Sequence, residues 1–182
     1  MKKTLLILSI TLLGTFLGSN VMGQVTQNLN LGMPEIALMA ASATTINLQL
    51  TTGTAGLAVK SSVSDSSARL KVSSIITSTT RTLTASVSAV PSGTSLTLQA
   101  QAPNASFGGT PGAFLPAAAL PVTGSANIIT GIGSCYTGTA IDDGYKLKYT
   151  WGLLDPASNY ASVRATGAGV LVIVTLTITA AI

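Results

Sequence analysis

The chain ends in Val170-Leu-Val-Ile-Val-Thr-Leu-Thr-Ile-Thr-Ala-Ala-Ile182, and the reading of this stretch decides the fold. From Thr175 it alternates strictly. Val172, Val174, Leu176 and Ile178 share one apolar face, and positions 175, 177 and 179 are all Thr. An alternation of period two is the mark of a half-buried strand, because successive side chains point to opposite sides. β-Branched residues dominate it, and these fit a pleated surface. A membrane-spanning helix needs about 20 apolar residues and no polar face. The ending is therefore expected to be a long strand, buried on both sides over 170–174 and wet on one face thereafter. It either closes its own sheet or pairs with another subunit, where main-chain bonds give affinity and alternate side chains fill pockets. Val172, Val174, Leu176 and Ile178 are the candidate assembly row.

The same period recurs upstream. Ile46, Leu48 and Leu50 alternate with Thr45, Asn47 and Gln49. Leu70 and Val72 alternate within 69–73, Leu83, Ala85 and Val87 within 82–88, and Leu96, Leu98 and Ala100 within 96–102. Between the last two runs lies Val90-Pro-Ser-Gly-Thr94, a turn signal, so 82–102 reads as a β-hairpin. Residues 103–121 hold four prolines and three glycines and read as a long connection, with Phe107, Phe114 and Leu115 as plugs against the core. Further strands are expected over 127–132, over Tyr145 to Trp151 and over 160–163. Pro34 marks an edge strand or strand start before 36–40. The expectation is all-β: an immunoglobulin-like β-sandwich of about seven to nine antiparallel strands.

The other end of the chain reads as a leader. Met1-Lys2-Lys3 precedes the apolar run 4–16, and small residues Val21 and Gly23 stand before Gln24. This is the pattern of a cleaved secretory signal peptide over 1–23, followed by a single β-sandwich domain over 24–182. The expected address is export: periplasm, cell surface or medium. Without Lys2 and Lys3 the formal net charge falls from +4 to +2. The seven remaining bases, from Lys60 to Arg164, form no cluster, so nucleic acid is not an expected partner. Charged residues are only 8% and apolar residues 47%, so Ser, Thr, Asn and Gln must clothe the surface.

Chemistry is sparse. There is no histidine, which removes the usual hydrolase triads and most transition-metal sites. The five carboxylates are Glu35, Asp65, Asp142, Asp143 and Asp155, and the last three sit in apparent turns. Asp142-Asp143 reads as a turn rather than a calcium site. Cys135 stands alone and reads as a small buried hydrophobe. No enzyme activity and no cofactor are expected. Tyr145, Tyr149 and Trp151 fall on the apolar face of one strand, while Tyr136 and Tyr160 are placed on loops as candidate surface contacts for sugar or a partner.

The segments 32–39 (GMPEIALM), 131–138 (GIGSCYTG) and 174–179 (VTLTIT), with the leader, resemble a poorly characterised group of small secreted β-sandwich proteins of Bacteroidota-type bacteria. The terminal strand resembles, more loosely, fimbrial and coat-type subunits. Those often carry a paired cysteine bridge, which a lone Cys135 cannot make. The resemblance implies no catalytic residue. The expected role is a structural or adhesive surface subunit acting through strand-mediated association. The alternatives are a secreted carbohydrate- or protein-binding module and a small outer-membrane β-barrel. Low aromatic content, 4%, weighs against the barrel, whose strands carry aromatic girdles.

Overall fold

The computed structural model describes residues 25–42, 45–51, 54–104, 106–155, 158–167 and 169–180. The leader expected over 1–23 lies outside them. Residues 25–33 belong to a separate unit and form no strand. The sandwich is built from 34 onward.

Its strands are β1 (Ile36–Ala41), β2 (Ser62–Asp65), β3 (Arg69–Ile75), β4 (Arg81–Val87), β5 (Thr94–Gln101), β6 (Gly108–Gly109), β7 (Ala113–Phe114), β8 (Ala118–Ala119), β9 (Ala126–Ile132), β10 (Cys135–Tyr136), β11 (Tyr145–Leu153) and β12 (Val174–Ala180). All ladders are antiparallel. One sheet runs β6-β10-β3-β11-β5-β8, with β1 also on β3 and β2 also on β11. The other runs β12-β4-β9-β7. The expected β-sandwich is present. Two open sheets stand where a barrel needs one closed sheet.

The larger sheet is simpler than its strand count. β2 and β3 lie end to end along β11, with Ser62 opposite Gly152 and Leu70 opposite Tyr145. The register slips by one residue across 66–68. There the Asp65 carboxylate takes the Ser67 N–H and hydroxyl, a local turn that competes with the ladder. β10 and β11 likewise share one side of β3. Gly144 N–H closes on the Thr137 carbonyl at 3.1 Å, so residues between them loop out of a composite strand.

The core fills from both sheets. Leu70, Val72, Leu96, Leu98, Ala100, Tyr145 and Leu147 meet Leu83, Ala85, Val87, Ile128, Ile129 and Ile132. Each fully buried Leu or Ile contributes about 2–3 kcal/mol of transfer free energy. Adjacent Ile128 and Ile129 are both buried, which a regular strand forbids. The β4–β9 register shifts twice here, the irregularity that lets neighbouring side chains both be buried.

Four sequence expectations need correction. Residues 82–102 are not a hairpin: Val87 pairs with Val174 and Thr94 with Leu153, in different sheets. The Pro-Ser-Gly turn is an arch over the sandwich end, and a turn signal alone does not distinguish the two. Tyr160–Ser162 is a 3-10 turn rather than a strand. Residues 45–50 keep their alternating burial, and Ile46 and Leu48 pack on the core, yet they join no ladder. The 103–121 connection holds three two-residue strands. Its plugs are Phe114 and the buried Leu120, while Phe107 is exposed.

Candidate functional site

β12 is the outermost strand of the smaller sheet. Its whole length pairs with β4, from Val174 opposite Val87 to Ala180 opposite Arg81. Among the described residues nothing pairs with its other edge. Val172, Val174, Leu176 and Ile178 face the core as expected, but each is only half-buried. Their neighbours on β4, Leu83 and Ala85, are sealed. The sandwich is therefore open along this rim. Thr175, Thr177 and Thr179 are exposed, and the Thr84 hydroxyl donates to the Thr177 carbonyl at 3.4 Å.

The expectation that 170–174 is buried on both sides fails. Val170, Leu171 and Ile173 are 52%, 85% and 59% exposed. Ile173 N–H donates to the Ser88 hydroxyl, and Ser88 N–H to the Ile173 carbonyl, so the stretch is moored at the 88–93 arch before the strand begins. An apolar run alone does not reveal whether a facing layer exists to bury its second side.

No charged residue follows Arg164 in the sequence. Edge strands are ordinarily protected by charge, proline or a bulge. β12 has none of these. Among the described residues its outer edge has no strand partner, and it lies beside an uncharged face.

A second feature lies on the larger sheet. Tyr136 of β10 stands between Ser73 of β3 and Gly108 of β6. Its ring lies so close over Gly108 that a Cβ there would come within 2.6 Å of it. At Gly109, φ is +85° and a Cβ would meet the Ser134 carbonyl. Gly108 thus seats an aromatic ring that stays 59% exposed. Beside it is a groove of about 350 Å³ lined by Ile36, Ile75, the serines 73, 74 and 134, Gly108, Gly109, Cys135 and Tyr136.

The candidate tyrosines do not converge. Tyr136 neighbours the end of β3. Tyr160 donates nothing to that region; its hydroxyl accepts the Val59 N–H at 3.3 Å. Val59 is near the start of β2, at the far end of β11 from the groove. Tyr145 and Tyr149 are core residues. The Tyr145 hydroxyl donates to the Pro111 carbonyl at 2.8 Å and its ring meets Phe114 edge-on at 5.7 Å. Burial pushes both phenols up. Trp151 is half-buried and donates to the Thr94 hydroxyl.

Cys135 is a free, buried thiol, and burial raises its pKa, the opposite of what a nucleophile needs. Asp143 Oδ2 accepts the Ala140 N–H at 2.8 Å, completing the expected turn. Among the described residues no three His, Cys, Asp or Glu side chains gather as a metal set, and no helix is long and apolar enough to cross a membrane.

One segment, with Leu29 to Leu31 at its centre, is given no role by the sequence reading. Val25, Leu29, Leu31 and Met33 occupy alternate positions and are 92%, 78%, 89% and 77% exposed. The alternation was visible in the sequence, interrupted only by Gln27. No family model, curated protein or solved structure matches this chain.

Proposed function

We propose that the chain is an exported, non-enzymatic structural or adhesive surface subunit that associates through the edge of β12. Export rests on the leader pattern of 1–23. One observation carries the association: a seven-residue edge strand with a half-open apolar row, an all-threonine outer face and no charge to guard it. An added strand would satisfy the outward backbone groups and cover the rim in one step.

The test is the mass of residues 24–182 across a concentration series, by light scattering with electron microscopy. The reading expects growing assemblies. Thr175→Lys, Thr177→Lys and Thr179→Lys together should restore discrete monomers without unfolding, since these side chains are exposed and like charges would meet across the new pairing. Monomers of the unmodified chain at every concentration, or assemblies indifferent to the three lysines, would overturn it.

A second reading has its own support. The Tyr136 ring over Gly108, with the Ser73 hydroxyl in register, is a platform of the kind that stacks on a neutral sugar face. Glycan binding that disappears in Tyr136→Ala would establish it. A chain that retains no glycan would exclude it.

A further inference from the structure

The open edge of β12 and the exposed row at 25–33 are two unmatched halves. In one copy the segment forms no strand and the edge has no partner among the described residues. Both halves are chemically unusual in the same way. Neither 25–33 nor 170–180 contains a charged residue. Both alternate with period two: Leu29, Leu31 and Met33, with Val25 beyond the polar Gln27 in the same row, against Thr26, Asn28 and Asn30, and Val174, Leu176 and Ile178 against Thr175, Thr177 and Thr179.

The segment is long enough to span the edge. At about 3.3 Å per residue, nine residues reach about 30 Å and the seven of β12 about 23 Å. Four exposed apolar side chains are a standing cost, and exposed apolar patches mark interaction sites. The alternating run Leu29, Leu31 and Met33 is suited to a sheet edge above an incompletely filled core.

We infer that residues 25–33 of one copy add as a strand to the β12 edge of a second copy. Leu29, Leu31 and Met33 enter the open rim beside Leu176 and Ile178. Thr26, Asn28 and Asn30 continue the polar threonine face, where hydroxyl and amide pairs favour adjacent strands. The contact joins one end of a chain to a different surface of the next, so it is heterologous. Such contacts do not close on themselves unless the rotation permits a ring, and they otherwise grow as filaments. This inference rests on the proposed association through β12 and names its partner.

The experiment uses the chain 24–182 and two perturbations. Leu29→Asp with Leu31→Asp changes no residue of the sandwich core. It should weaken assembly by about 100-fold or more, the loss expected for two buried leucines. A synthetic peptide of residues 24–34 should then bind this variant one to one and be displaced by unlabelled peptide. A peptide of the same composition with its alternation scrambled should not bind. Assemblies that persist undiminished in the Asp variant would overturn the inference while leaving association through β12 standing. A monomer whose mass never grows, and whose stability falls in the Asp variant, would show the segment folded on its own edge and would also overturn it. A chain that neither assembles nor binds the peptide would remove the proposed function along with it.

Discussion

At the residue scale the tightest constraint is Gly109, the neighbour of the glycine under Tyr136. Gly109 combines a φ of +85° with the Ser134 backbone carbonyl standing where a Cβ would sit. Gly109→Ala should therefore destabilise the fold by more than about 2 kcal/mol, since backbone cannot yield as a side chain can; chemical denaturation measures it. Cys135 should resist thiol reagents in the folded protein and react at the rate of unfolding, because its thiol is buried and its pKa raised by that burial. Glu35 makes a pH prediction. The Thr77 N–H, and then Arg81 at 3.4 Å, hold its carboxyl below the ordinary value of 4.5. A carboxylate with a lowered folded pKa stabilises the fold above its unfolded pKa, and that contribution drains as pH falls through the folded value. Glu35→Gln should thus lower stability at neutral pH and converge with the unmodified chain in acid. The burial of Cys135 was legible from its isolation in an apolar context. The Glu35–Arg81 pair was not, because its partners are 46 residues apart and no local pattern links them.

At the scale of elements, β4 and β12 are neighbours with opposite fates. Leu83 is sealed between two strands, while Leu176, opposite Ala85, lies on an open rim. Leu83→Ala should cost about 2–5 kcal/mol and Leu176→Ala roughly 1–2 kcal/mol, since a half-exposed site leaves less cavity; urea midpoints at one dilute concentration compare them. Equal losses would mean that the rim is closed. The alternation in β3, β4, β5, β11 and β12 was readable because period two is a property of each strand alone. Pairing was not. The 82–102 arch and a hairpin share the same turn residues, and only the arrival of β12 and β9 beside β4 separates them. Residues 45–50 show the converse: an alternating segment that buries one face without entering a ladder. The bulges of β9 hid Ile128 and Ile129 as a pair, because period two admits only one of two neighbours to the core.

At the scale of the whole molecule, two open sheets share one apolar core and very little charge. The class and strand content were legible from periodicity. The composite strands of the larger sheet were not, since they depend on loops that leave and rejoin the same ladder. The uncharged surface stops guarding the edge where it matters most, at β12. Amide hydrogen exchange over 174–180, read at rising protein concentration, tests association at that edge most directly. The account predicts that protection of these amides grows about ten-fold or more as assemblies form, while amides of β5 and β11 stay unchanged. Assemblies that grow while exchange in β12 stays constant would contradict it.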